Sequence, residues 1–444
     1  MLCFVSLGET SSMNLPKTEH PRLVIIGGGF AGISLVKKLK GLPLQVVLLD
    51  KRNYHTFQPL LYQVSTSGLE PDSIAYPLRK ITKNASNCHY RMAEVHQINA
   101  ETNSISTNIG DLKFDYLVIA TGSKTNFFGN KSIEENGMWM KTVPQALNIR
   151  SLILENLEQA NITASKEKRK ALLNFVIAGA GPTGVELSGA IAELKNNVIP
   201  KDYPGLDINE MEIHLIEGLD RVLPPMSEAA SKKAEKFLKN LGVQLHFETF
   251  VEDYDGKTVT TKSDLSFETE TFIWSAGVTG APVKGLNANA IIDKANRYKV
   301  NAFNQVEGYE HIFAVGDIAL MASNEYPKGH PMVAQPAIQQ GAQLAKNIKN
   351  ILKSKPLEPF SYFDKGTMAT IGRNKAVVDL GKFRIGGFFA WFIWMFIHLW
   401  FLVGFRNRLV TFFNWTYNYI NYDKAARLII RPFKQKKQEM SDGE

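Results

Sequence analysis

Two glycine clusters offer the first chemistry in this chain. Gly27-x-Gly29-x-x-Gly32, with Phe30 and Ala31 between its last two glycines, sits where an apolar run meets a helical pattern. Gly179-x-Gly181-x-x-Gly184, with Pro182 and Thr183 in the same places, repeats it. In such a motif the first glycine permits a tight turn, the second lets a pyrophosphate reach the backbone, and the third lets helix pack on strand. The helix that follows turns its free N–H groups and positive end toward the phosphates. Each cluster is followed by an acid ending an apolar run. Asp50, with Lys51 beside it, closes QVVLLD 23 positions after Gly27, and Glu217 closes MEIHLIE 38 positions after Gly179. An acid there accepts hydrogen bonds from a ribose. The longer interval is attributed to an insertion around 196–209, with Pro200, Pro204 and Gly205. Glu217 would repel a 2′-phosphate, which favours NADH over NADPH, although Arg221 lies close by in sequence.

The elements that must position these turns surround them. RLVII, the glycines, a helical spacing ending at Gly41 and QVVLLD form one βαβ unit, and residues 173–217 form a second. Continuous Val/Leu/Ile runs suit parallel strands covered on both faces. Each copy is followed by an apolar strand closing on small residues, DYLVIATGS and ETFIWSAGV. The expected fold is therefore α/β with two Rossmann-like dinucleotide-binding domains. One nucleotide is a nicotinamide donor. The other is most economically FAD, through which a hydride can travel onward as electrons. HIFAVGDIA (311–319) returns to the first domain, making it discontinuous. The expected division is 1–20 flexible, 21–145 FAD-binding, 146–285 NADH-binding, 286–365 FAD-binding again, and 366–444 a membrane-anchoring region.

A length of 444 residues fits two or three domains, and 44% hydrophobic with 21% charged residues is the balance of a folded chain. Two cysteines, Cys3 and Cys88, exclude a disulfide scaffold, a cysteine zinc site and an iron–sulfur cluster, and no metal is expected. The first dozen residues lack the basic and apolar regions of a targeting signal. The formal charge is +8, with ten Lys and Arg against four Asp and Glu from Lys382 onward. Within that stretch, 386–405 is uncharged and holds nine aromatic residues. Twenty residues reach across a bilayer. However, Trp391, Trp394 and Trp400 are scattered through the run, and Arg406, Arg408, Lys424, Arg427, Arg431, Lys434, Lys436 and Lys437 follow it. With an NADH site in the cytoplasm, a crossing would export that basic tail, so a segment lying in an anionic lipid surface is expected.

The order GGGFAG, ATG, GAGPTGVE, WSAG, FAVGD, AQPAIQQG and an aromatic, basic C-terminal segment resembles the type II NADH dehydrogenases (NADH:quinone oxidoreductases) from Pro21 to Arg431. The resemblance implies transfer of two electrons from NADH through FAD to a membrane quinone, menaquinone or ubiquinone, without proton pumping. It implies a homodimer attached peripherally to the cytoplasmic face of the cell membrane, and no nucleic-acid partner. By the same resemblance Gly27, Gly29, Gly32 and Asp50 bind the FAD adenosine diphosphate, and Val95 offers backbone to the adenine. Thr121 and Gly122 lie close to the flavin nucleotide, and Gly316 and Asp317 at the ribityl–pyrophosphate end. Gly179, Gly181, Gly184, Glu217 and Gly277 fall on the NADH side.

In AQPAIQQG, Pro336 suits the first helical position. The helix N-terminus, with Ala334 and Gln335, would stabilise a reduced flavin. Gln335 and Gln339, one turn apart, are neutral amides suited to quinone carbonyls, and the family places its head group there. Glu186, read as lying in the first helical turn, is either an ordinary partner of the helix dipole or the family's carboxylate beside nicotinamide and flavin, assisting quinone turnover. Lys375 is either a basic group at the flavin edge or a solvated turn lysine. His55 and Gln58 carry no assigned role. A sulfide:quinone oxidoreductase would need redox cysteines. A soluble reductase would not need the aromatic segment, whose density of Phe and Trp suits lipid better than nucleic acid.

Overall fold

A computed structural model describes residues 13–83, 85–292, 294–421 and 426–430. Cys3 and the tail cations Lys424, Arg431, Lys434, Lys436 and Lys437 lie outside the described residues. The chain folds as two compact units. One comprises Met1–His55, Tyr76–Lys124 and Val278–Asp364, and the other Thr56–Ala75, Thr125–Gly277 and Lys365–Glu444.

The first unit is built on a parallel sheet in the order Ile312–Ala314, Tyr116–Ile119, Arg22–Ile26, Gln45–Asp50, Cys88–Met92. The glycine turn leaves the central strand, where connections depart to opposite sides, the place at which open α/β sheets bind ligands. An antiparallel meander, Val95–Asn99, Ser104–Thr107 and Gly110–Lys113, completes this half. Helix Phe30–Leu39 packs on helix Ala334–Ile351 at close range: a Cβ on Gly341 would lie 2.6 Å from the Ala31 carbonyl oxygen, and Ser34 Oγ donates to Ile338 O at 3.0 Å. The N-terminal stretch expected to be flexible is packed from Met13. Met13 and Leu15 are buried in the core, and Arg91 Nε donates to Met13 O at 2.8 Å.

The second unit repeats the plan, with parallel order Met138–Trp139, Thr271–Trp274, Asn174–Ala178, Glu212–Ile216, Gln244–His246. Its meander is Val251–Tyr254, Thr258–Thr261, Ser266–Glu268. The chain divides near 124 and 277, where the sequence reading divided it at 145 and 285. Strand Met138–Trp139 joins the second sheet, and Trp274 Nε1 donates to Asn126 O at 2.8 Å. After Lys365 come an antiparallel sheet, Thr367–Thr370, Ala376–Leu380 and Phe383–Gly387, and helices Phe388–Phe401 and Phe405–Asn421. This region is tied into its unit. Asp379 accepts from Ser227 N and Oγ at 2.7 and 2.9 Å, and Asn407 Nδ2 donates to Asp72 O and Ala75 O, each at 3.0 Å.

The uncharged run 386–405 is therefore not one helix. It begins in a strand, and its 14-residue helix stops at Leu402, before Gly404 takes a φ of +94°. Fourteen residues rise about 21 Å, against roughly 30 Å of hydrocarbon. No described helix is long and apolar enough to cross a membrane.

Candidate functional site

The two glycine turns match bond for bond. Gly27 N donates to Leu49 O at 2.8 Å, and Gly179 N to Ile216 O at 2.7 Å. Gly28 N donates to Asp50 Oδ2 at 2.7 Å, and Ala180 N to Glu217 Oε2 at 2.7 Å. The other oxygen of each acid accepts from the amide two residues on, Arg52 N at 2.7 Å and Leu219 N at 3.0 Å. Gly27 and Gly179 take φ of +110° and +96°, which L side chains avoid. A Cβ on Gly32 or Gly184 would lie 1.9 Å from the carbonyl oxygen of Gly27 or Gly179. A Cβ on Gly29 or Gly181 would meet nothing within 4 Å. The outer glycines are thus required by the protein itself. The middle ones leave open space at a helix N-terminus, where a phosphate fits.

Each acid therefore ties its own glycine turn with both of its oxygens. Burial raises the Asp50 carboxyl, and the Gly28 and Arg52 amides partly offset that. Arg221 donates to Pro224 O at 3.1 Å. Removing the Glu217 charge removes the repulsion of a 2′-phosphate, so the NADPH/NADH ratio of kcat/KM should rise about ten-fold in Glu217→Ala, roughly 1.4 kcal/mol. Steady-state kinetics with both nucleotides checks this.

Other expected groups sit in the same unit as the first glycine turn. His55, 2% exposed, donates Nδ1–H to Gly28 O at 3.1 Å and meets the Phe30 ring edge-on at 5.0 Å; burial lowers its pKa to about 4. His55 thus braces the turn as a neutral ring. Thr121 Oγ1 is buried without a partner, and Gly122, at φ +71°, has open space beside it. Asp317 Oδ2 accepts from Ser123 Oγ at 2.5 Å. Lys51 reaches Glu94 at 3.8 Å on the surface, and Val95 opens the meander.

Helix Ala334–Ile351 starts two residues earlier than the sequence suggested, so Pro336 is its third residue, still within the turn whose N–H groups have no helical partner. The two expected glutamines differ. Gln335 Oε1 is buried and unpartnered. Gln339 exchanges two hydrogen bonds with the Phe363 backbone, at 2.9 and 3.0 Å. The sequence reading passed over Gln340, whose Oε1 accepts from Gly316 N at 2.7 Å.

In the second unit Glu186 is the fifth residue of helix Pro182–Asn197. It lies beyond the first turn, so the reading of Glu186 as a first-turn dipole partner is corrected. It is 8% exposed. Burial raises its carboxyl to about 8, with the Thr370 amide, 3.5 Å from Oε1, opposing weakly. At neutral pH it holds a proton. Lys375 lies half-buried after strand Thr367–Thr370, its carbonyl accepting from Ile371 N at 2.7 Å. Gly277 packs on Phe128: a Cβ there would lie 2.9 Å from the ring.

Residues 21–341 match the family model described as pyridine nucleotide-disulphide oxidoreductase, and residues 365–421 match the NDH2 C-terminal domain. The type II NADH:quinone oxidoreductase Ndh of Mycobacterium tuberculosis is 35% identical over 420 residues, 91% of this chain and 89% of that protein. NdhA of the same organism is 33% identical, covering 96% and 92%. The chain belongs to the type II NADH:quinone oxidoreductases. Structures of NDH2 from Plasmodium falciparum superpose with a TM-score of 0.84 at 22% identity, over 93% of this chain and 100% of that one. The sulfide:quinone oxidoreductase of Aquifex aeolicus shares the fold at a TM-score of 0.69 and 19% identity, covering 87% and 92%.

Membership settles the alternatives. Against sulfide chemistry, Cys88 is buried, with its thiol pushed up to about 11. As a type II enzyme the chain takes FAD as cofactor and NADH as donor. The first cradle fits such a group, with an open middle glycine, a carboxylate at the turn and an orphaned buried hydroxyl at Thr121. Sequence reasoning missed Tyr62, Gln63, Glu193, Arg373 and Trp415. With Thr370 they line a cavity of about 140 Å³ in the second unit. Only Glu193 carried a signal: it lies seven residues after Glu186, on the same helix face.

Proposed function

We propose that this type II NADH:quinone oxidoreductase oxidises NADH at the second glycine cradle, holds FAD at the first and delivers the electron pair to a bilayer quinone, with no proton pumping. One observation carries the reading: the two cradles repeat each other's hydrogen bonds in a chain of this family. The first unit is assigned to FAD and the Thr125–Gly277 part of the second to NADH. Gly27, Gly29, Gly32, Asp50, Val95, Thr121, Gly122, Gly316 and Asp317 would hold FAD, which when bound supplies two-electron exchange between donor and acceptor. Gly179, Gly181, Gly184 and Glu217 would hold NADH, the open space at Gly181 admitting its pyrophosphate. Gln335, with its free amide oxygen, is the better-placed partner of a quinone head group; Gln339 positions the 363 backbone. Glu186 keeps a proton at its carboxyl at neutral pH and gives it toward quinol formation. Lys375 is kept as a basic group of the same reaction.

Attachment to an anionic lipid surface at the cytoplasmic face is supported by the exposed aromatics of the two C-terminal helices and the cations among them. Arg408 lies over Trp400 and Lys365 over Phe401, at 6.0 and 5.7 Å. Cations beside interfacial aromatics suit the headgroup level. Protease should cut the C-terminal tail in vesicles that expose the cytoplasmic face; protection there would favour a span. By family resemblance the enzyme is a homodimer, read out by sedimentation in detergent. The activity test is NADH oxidation by membranes carrying the protein, with a short-chain quinone. NADH oxidation that ignores quinone would overturn the reading.

The buried acid also makes a stability prediction. A carboxyl at about 8 in the folded state and 4.5 unfolded leaves the native chain holding more protons between those values. Stability from this group is full below 4.5 and is lost as pH rises through 8. Glu186→Gln cannot ionise, so its Tm should gain on that of wild type as pH rises from 6 to 9, by several degrees. Parallel melting curves would contradict the protonated assignment.

A further inference from the structure

The hydrogen bonds leading to the Tyr62 hydroxyl run in one direction. Trp415, on helix Phe405–Asn421, has only an N–H to offer and donates it to Gln63 Oε1 at 2.8 Å. That fixes the amide, whose Nε2 donates to the Tyr62 hydroxyl oxygen at 2.8 Å. The Tyr62 oxygen therefore accepts from the chain, and its own proton points elsewhere. Tyr62 is 6% exposed. Burial first, then the carboxylates of Glu186 and Glu193, hold its phenol well above the ordinary range, so it stays protonated.

Glu186 and Glu193 share a face of helix Pro182–Asn197, about 10 Å apart along the axis. One segment covers both. The Thr370 amide faces Glu186, and the Arg373 amide donates to Glu193 Oε1. Between the acids, Gly189 lets the backbones close: a Cβ there would lie 3.2 Å from Gly372 N. The cavity of about 140 Å³ has Tyr62, Glu193, Thr370 and Ala190 on its wall, and Glu186 is not among its lining residues. Ala190 is one helical turn from Glu186. Such a volume admits water beside polar groups.

We propose that Tyr62 and Glu193 are the proton entry to Glu186, with Gln63 and Trp415 setting the polarity of the path. This rests on the reading of Glu186 as the acid that supplies quinol formation. When Glu186 has given up its proton, the Tyr62 O–H bond breaks as a Glu186 O–H bond forms. The phenol oxygen recovers a proton from cavity water or Glu193, which is recharged from solvent. No electrons move in this step, and the net proton taken up per NADH oxidised comes from water.

The test is infrared spectroscopy of the FAD-loaded enzyme in lipid nanodiscs at pH 7. Protonated Glu186 gives an acid carbonyl band, identified by its loss in Glu186→Gln, that shifts as the proton exchanges in D2O. Exchange should slow at least ten-fold in Tyr62→Phe and measurably in Glu193→Gln. Wild-type exchange in both variants would overturn the proposal. Absence of the band from the wild-type enzyme would instead overturn the underlying assignment of Glu186. Should Tyr62→Phe fail to fold, Trp415→Phe, which keeps a ring and deletes the N–H, carries the test: slower exchange supports the directional path, and an unchanged rate overturns it.

Discussion

Gly29→Val folds and is purified colourless. At Gly29 the backbone has φ −73° and ψ −165°, open to any L residue, and an added Cβ meets no protein atom within 4 Å. The space it fills is the one through which a pyrophosphate approaches the backbone. FAD affinity should fall at least about a hundred-fold, near 2.7 kcal/mol, while far-ultraviolet circular dichroism stays native. Gly181→Val is the matched control, in the same open geometry on the second turn. It should stay yellow but no longer bleach with NADH at concentrations that saturate wild type. If both variants lose flavin, or neither does, the two cradles do not divide the nucleotides as assigned. Gly32→Ala differs in kind, because its Cβ would lie 1.9 Å from the Gly27 carbonyl, and it should damage folding.

A second large effect is expected at the membrane. Phe392, Phe396 and Trp400 recur every fourth residue on helix Phe388–Phe401 and are 54%, 58% and 64% exposed. On the opposite face Ala390 and Trp394 are buried. Phe405 and Phe413 extend the apolar surface onto the next helix at 74% and 64%. Each large side chain immersed in lipid contributes about 2 kcal/mol, so the three together are worth roughly 6 kcal/mol. Replacing all three by glutamate should lower vesicle partitioning about 10⁴-fold and release the protein to the soluble fraction with its flavin in place. Retention of the triple variant on vesicles after a salt wash would refute attachment through this face.

What the sequence made legible was local. Glycine spacing and the following acid report a strand–turn–helix within a few dozen residues, and both copies have the expected form, down to Asp50 and Glu217 bonding equivalent amides. Pairings between distant segments left no trace. Gln63 and Trp415 are 352 positions apart, and nothing in RNYHTFQPLLYQ points to the C-terminal helix. His55 was visible but without a role until its ring was found bonded to the Gly28 carbonyl. Helix starts lay about two residues earlier than the sequence suggested. Pro182 begins its helix, which moves Glu186 out of the reach of the dipole and into the interior, and Ala334 begins its own, which makes Pro336 the third residue. Equal spacing also concealed unequal roles. Gln335 and Gln339 share a helix face, yet the second spends its amide on the 363 backbone. The meanders were missed because short, half-exposed strands carry little apolar pattern.

One anaerobic titration reaches the centre of the account. The purified protein should show an oxidised flavin spectrum that one equivalent of NADH bleaches and one equivalent of a short-chain quinone restores, cycle after cycle. A flavin that NADH reduces and quinone leaves reduced, or a chain that carries no flavin, would contradict it.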